Sequence, residues 1–138
     1  MRFMMIVKAT PNCEAGIVPD KQAMSELSKY NEELTKAGAL IALDGSQPLS
    51  KGARISFSGG TPTVTDGPYA EAKEVVGGYW MLQFKSKQEA IDWVKKCPAQ
   101  DGDVIEIRPV FEMSDFPEDV QKAADSATVK AQLEKNVR

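Results

Sequence analysis

The order of the patterned segments predicts an α+β fold, an antiparallel sheet with its helices on one face. Three observations carry this. Two amphipathic helical stretches stand among strand-like runs in the order strand, helix, strand, hairpin, strand, helix, strand, which is the split βαβ, ferredoxin-like plan. Two of those runs, Phe3–Val7 and Tyr79–Leu82, are apolar on both alternating sides, a pattern that suits central strands. The chain has the length of one domain, 138 residues, with no internal repeat and no linker dividing it.

Taken in order, Phe3-Met4-Met5-Ile6-Val7 is a short apolar strand closed by Lys8 and by Thr10-Pro11-Asn12, read as a breaker that opens a loop to Pro19-Asp20. Met24, Leu27, Tyr30/Asn31, Leu34 and Ala37 then recur at helical spacing. Gly38 stands where a C-terminal glycine cap belongs. Ala39–Asp44 reads as the second strand, and Gly45–Gly52 as a loop. Arg54–Phe57 and Thr63–Thr65 flank Ser58-Gly59-Gly60-Thr61 and predict a hairpin. After the turn Asp66-Gly67-Pro68, Val75–Phe84 is a long strand whose Gly77-Gly78 mark a bulge or a close backbone approach.

Ser86-Lys87-Gln88-Glu89 has the form of a capping box, and Ala90, Ile91, Val94 and the stem of Lys95 follow it on one face. Pro98 ends that helix, and Val104–Arg108 alternates as the last strand. The predicted domain covers residues 1–113. Residues 114–138 are a C-terminal tail, helical from Val120 to Val137, with an apolar stripe made mostly of alanine.

Composition narrows the function. Apolar residues at 42% and charged residues at 27% are ordinary for a soluble globular chain. Seventeen Lys and Arg against twenty Asp and Glu leave a net charge of −3, which argues against a nucleic-acid partner. There is no histidine, so imidazole dyads, triads and metal sites are excluded within this chain. Chemistry near pH 7 falls to carboxylates, lysines, arginines, hydroxyls and backbone groups. Cys13 and Cys97 form no disulfide framework and read as free thiols of a reducing, cytoplasmic compartment. The five-residue apolar run near the start is too short for a signal segment or a membrane span, so no membrane association is expected. No metal site and no cofactor is expected either.

With helices on one face only, the other face of the sheet needs a cover, and a second copy packing sheet to sheet supplies it. The expectation is a homodimer.

The densest polar cluster is Asp66-Gly67-Pro68-Tyr69-Ala70-Glu71-Ala72-Lys73-Glu74. Carboxylates brought together act as acid or base, and a lysine among them balances charge or binds an anion. Asp66, Glu71, Lys73 and Glu74 are therefore the catalytic candidates. Together with Asp44, Gln47, Gly77 and Gly78 they are also the ligand-binding candidates, with Lys73 balancing at least two of the carboxylates. The bland alternative is a solvated turn. Tyr79 and Trp80 read as core or interface, and Arg54 and Arg108 as surface residues or anion binders.

This cluster, followed by Val75-Val76-Gly77-Gly78-Tyr79-Trp80, resembles the signature of the DGPF group of YCII-related proteins, with Tyr69 in place of the phenylalanine. The resemblance extends to MRFMMIVKA at the start, KYNEELTKAGALIALDG from Lys29, SKGARISFSGG from Ser50, and the WVKKCP and IEIRPVFE segments near the end. It implies a ferredoxin-like domain of the dimeric α+β barrel type, with a pocket between the sheets and loops of two subunits. Some relatives look like lyases that eliminate chloride from a hydroxylated aromatic with a His–Asp pair. That pair does not carry over: Gln47 precedes Pro48 where close relatives often have histidine, and glutamine exchanges no proton at neutral pH. Other relatives are fused to, or neighbours of, extracytoplasmic-function sigma factors, which implies signalling.

Three functions remain open at this point. One is a cytoplasmic dimeric module that binds an unidentified small-molecule ligand, or regulates, through a polar pocket. The second is a lyase- or hydrolase-type enzyme that uses carboxylates and a lysine in place of histidine. The third is a purely structural dimer.

Overall fold

The computed structural model describes residues 1–68 and 75–136. Strands β1 (Arg2–Lys8), β2 (Leu40–Gly45), β5 (Val76–Gln83) and β6 (Ile105–Pro109) form one antiparallel sheet in the order β2-β5-β1-β6. The two runs that are apolar on both sides thus occupy the two central places. Between β2 and β5, β3 (Ala53–Ser58) and β4 (Thr61–Asp66) pair only with each other, as a separate two-stranded sheet. Gly59 and Gly60 turn this hairpin at φ +58° and +79°, the double left-handed conformation that a two-residue turn of right-twisting strands requires. The result is an α+β domain of ferredoxin-like plan.

Register explains which residues reach the core. Phe3 stands opposite Leu82, and Met5 opposite both Trp80 and Ile107, so their side chains point to one face. Helices α2 (Lys21–Lys36) and α3 (Lys87–Val94) cover that face with Tyr30, Leu34 and Ala90. Phe3, Met5, Leu34 and Leu82 are fully enclosed. Polar groups that enter the layer are matched: the Tyr30 hydroxyl donates to the Trp93 carbonyl at 2.9 Å, and Trp80 Nε1 donates to Asn31 Oδ1 at 2.8 Å. Burial, then the nearby Cys97 and Glu33, pushes the Tyr30 phenol well above its ordinary range, so this hydroxyl stays a donor at any physiological pH.

The ends of α2 follow their local chemistry. The Asp20 carboxylate accepts from the Ala23 amide at 2.8 Å, and Gly38 at φ +70° leads the chain out.

Several local expectations are corrected. Thr10-Pro11 begins a helix rather than only ending a strand: α1 (Pro11–Glu14) has Thr10 as its N-cap and Pro11 in its first turn, a place where proline's missing N–H costs nothing. Met24 and Ala37 lie on the apolar stripe of α2 but are exposed, because the sheet meets only the Leu27–Leu34 portion. On α3, Lys95 is exposed and Trp93 takes the inward place, stacked on Phe84 with ring centroids 6.3 Å apart. Ser86 caps α3 as expected, but Glu89 reaches back to the Lys85 amide rather than to that of Ser86.

The tail is two short helices, not one. α4 (Glu118–Ala123) stops before Asp125, and Ser126 opens α5 (Ala127–Asn136) by accepting from the Val129 amide. Neither helix has a buried residue. Removing residues 120–138 is therefore expected to leave cooperative unfolding of the sheet domain in place, with little change in midpoint by circular dichroism. Loss of the cooperative transition would contradict this.

Cys97, at the end of α3, is half-buried, and burial together with Asp103 pushes its thiol up to about 11. The thiolate is the reactive form. Alkylation of Cys97 in the native protein is expected to be slow at pH 8 and to accelerate only as the pH nears 11, which mass spectrometry of partly labelled protein measures. Rapid labelling at pH 8 would refute it.

Candidate functional site

The helix-free face of the sheet carries polar groups at both ends, Arg2 and Gln83 at one and the row that holds Asp44 at the other. Register aligns Asp44, Tyr79, Ile6 and Glu106 as one row across the four strands, and Ala42, Met81, Met4 and Arg108 as the next. In the first row the Tyr79 hydroxyl donates to Asp44 Oδ2 at 2.8 Å. At the far side of that row, Lys8 Nζ lies 3.5 Å from Glu106. The Asp44 hydrogen bond, then its charge, holds the Tyr79 phenol above its ordinary range. Tyr79 is thus a fixed donor, and the hydrogen bond sets the orientation of the Asp44 side chain.

Glycines let the backbones close in around this pair. Gly77 is the extra residue where the β1–β5 register jumps from Val7↔Gly78 to Lys8↔Val76, so it is the expected bulge. A Cβ on Gly77 would stand 3.0 Å from Ala9 Cα, and one on Gly78 would stand 3.0 Å from the Asp44 carbonyl oxygen. The bulge and the close approach are both present. The Ser46 amide donates to the Gly77 carbonyl at 2.9 Å and starts the loop that carries Gln47.

Three contacts hold that loop. Glu14 Oε2 accepts from the Leu49 amide at 3.3 Å, Gly16 lies against Pro48, and the Gly67 amide donates to the Gly52 carbonyl at 3.0 Å. Asp66 follows from this geometry: it ends β4, and its neighbour Gly67 ties it to the loop.

Asp44, Gln47, Gly77 and Gly78 are thus brought to one end of the sheet, with Asp66 joined to them through backbone. Asp66 is exposed, and no hydrogen bond or ion pair links it to Asp44 or Gln47. Glu71, Lys73, Glu74 and Tyr69 lie outside the described residues. Two open depressions border the site. One, of about 370 Å³, includes Gln47, Leu49 and Lys51; the other, of about 310 Å³, includes Lys8, Thr10, Asp103 and Glu106. Among the described residues no three cysteine or carboxylate side chains come together as metal ligands, and no helix is long and apolar enough to cross a membrane.

Sequence reading did not single out Tyr79 for the site. The signal was its parity: Trp80 is inward, so Tyr79 faces the other way, where Asp44 stands.

A four-stranded antiparallel sheet with two helices on one face and a carboxylate–phenol pair on the other defines an α+β domain with one partly polar face that no helix covers among the described residues. The chain belongs to the YCII-related family: the model of the YCII-related domain matches residues 1–114. It is also similar to an uncharacterized protein of Rhizobium meliloti (strain 1021), 32% identical over 76 residues, which is 55% of this chain and 61% of that protein.

Proposed function

We propose that this chain is a cytoplasmic, homodimeric module that binds a small molecule, or regulates through one, at the Asp44–Tyr79 end of the bare sheet face. The observation that carries this reading is the 2.8 Å bond between exposed Asp44 and half-buried Tyr79 on the sheet face that neither α2 nor α3 covers. A fixed carboxylate beside a fixed hydroxyl suits a ligand that donates hydrogen bonds, such as one bearing a hydroxyl or amino group, and disfavours an anion. Gln47, at the start of the adjoining loop, offers both a donor and an acceptor. The DGPF-like string that begins at Asp66 keeps Glu71, Lys73 and Glu74 as further candidates for the ligand, by residue type alone.

The test is amide NMR with hydroxyl- and amine-bearing fragments. Shifts should cluster at residues 44–47 and 77–79 and vanish in Asp44→Asn and Tyr79→Phe. Shifts scattered over the surface, or unchanged in both variants, would refute the site. Light scattering at micromolar concentration should give twice the 15.1 kDa chain mass, and a single species at 15.1 kDa would refute the dimer.

The second reading, a lyase- or hydrolase-type enzyme that works without histidine, is favoured by the same pair, because it sets a hydroxyl and a carboxylate, a hydrogen-bond donor and a potential base, 2.8 Å apart. Asp44→Asn removes what raises the Tyr79 pKa. The titration followed by tyrosinate absorbance should therefore move down toward the ordinary value of about 10. An unmoved titration would mean that the pair does not form in solution.

A further inference from the structure

The β3–β4 hairpin has two unlike sides. Register sets Ile55 against Val64 and Phe57 against Pro62, so these four share one side. The other side carries Ser56, Ser58, Thr61, Thr63 and Thr65 with Arg54. Such alternation belongs to strands with one covered and one wet side. Among the described residues nothing covers the apolar side: Phe57 is 78% exposed, Val64 65% and Ile55 56%. A lone two-stranded hairpin is also marginal in water.

We propose that this hairpin is an arm whose apolar side seats on the bare sheet face of a second copy, over Met4, Met81 and Tyr79. The proposal rests on the homodimer reading and says what makes its interface. Area favours it. On the sheet face Met4, Tyr79 and Met81 are already half-buried, Ile6 is nearly enclosed and Ala42 is small. A standard interface buries roughly 800 Å² per partner, so further apolar surface beyond these side chains favours a stable dimer. The arm adds the largest exposed apolar side chains between the helices.

Charge agrees. Asp66, paired with Ala53 at the base of the arm's apolar side, and Arg108, in the second row of the sheet face, each lack an ion pair among the described residues. An acid on the arm and a guanidinium on the face it covers are complementary. Exchange of two arms about a two-fold axis gives the reciprocal contact of an isologous dimer. Tyr79 stands in the covered face, so the arm of one copy walls the Asp44–Tyr79 site of the other, and the site is incomplete in a single chain.

The experiment places the photo-reactive residue benzoylphenylalanine at position 57 of the full chain and mixes ¹⁴N- and ¹⁵N-labelled protein. Irradiation should join position 57 to residues 4–6 or 79–81 of the other chain, seen as mixed-isotope peptide pairs. Phe57→Ser, at a site exposed in the single chain and so harmless to its folding, should weaken dimerisation at least tenfold by sedimentation. Thr63→Ala, on the wet side, should leave it unchanged. A wild type that stays monomeric overturns both the dimer and the arm. A dimer insensitive to Phe57→Ser, or one whose cross-links stay within a chain or run from hairpin to hairpin, overturns the arm alone and leaves the two sheets to meet directly.

Discussion

Replacing Phe3 with alanine is expected to lower stability by about 3–5 kcal/mol, the cost of removing a fully enclosed aromatic from a core that cannot collapse around the gap. Phe3 is 0% exposed, sits on central strand β1 opposite Leu82, and has its ring centroid 6.4 Å from that of Phe84, which itself stacks on Trp93. The ring therefore joins the sheet to the helix layer at α3. It lies in one buried cluster with Leu34, Leu82, Phe84 and Ala90, side chains held by hydrogen-bonded strands and helices that relax only in part, so most of the cavity would persist. Urea unfolding at fixed protein concentration should show a lower midpoint with an unchanged slope. Met24→Ala, at an exposed position on α2, is the control and should cost clearly less. A loss below about 1.5 kcal/mol for Phe3→Ala would place Phe3 outside the core.

The same strand shows how far the sequence can be read. Phe3–Val7 and Tyr79–Leu82 carry apolar residues at both parities, and that alone ordered them as the two inner strands of the sheet. The Gly59-Gly60 turn was equally legible, because only one common hairpin type accepts two left-handed residues. Register was not legible. That Asp44 meets Tyr79 depends on a jump between Leu40 and Ala42, and such an irregularity changes which side chains share a face.

Likewise Thr10-Pro11 signals a helix start as well as a strand end, and only the chain beyond decides between them. In the tail, a stripe of alanines is compatible with one helix or two, since neither buries enough to select an alternative. Of the candidate site, the glycines and Asp44 were readable as residue types, while their meeting at one sheet end is a tertiary fact.

Gly67→Ala is expected to unseat the loop of residues 46–52 from the root of the hairpin. A Cβ at Gly67 would be driven into the Leu49 carbonyl oxygen and carbon, with the Gly52 carbonyl oxygen 3.2 Å away on the same side. All of these are backbone atoms, so no side-chain rotation relieves the overlap, and either the turn or the loop must move. The loop is held from its other side by the Glu14 carboxylate on the Leu49 amide and by Pro48 against Gly16. The turn is held by the Gly67 amide on the Gly52 carbonyl. Moving either gives up at least one of these bonds in addition to the steric cost, for a total of about 2–3 kcal/mol of local stability. The sheet core lies elsewhere, so the loss should appear first as local opening: hydrogen exchange at the Gly67 and Gly52 amides should accelerate by one to two orders of magnitude while amides in β1 and β5 keep their protection, in proportion to that local cost. Gln47 rides on the displaced loop, so fragment shifts at residues 44–47 should weaken in the same variant while those at 77–79 persist. Gly59→Ala is the comparison: nothing lies within 4 Å of its Cβ position, and its positive φ is the sole source of strain. Native exchange at Gly67 and Gly52 in the Gly67→Ala protein would mean that the loop and the turn do not pack together in solution.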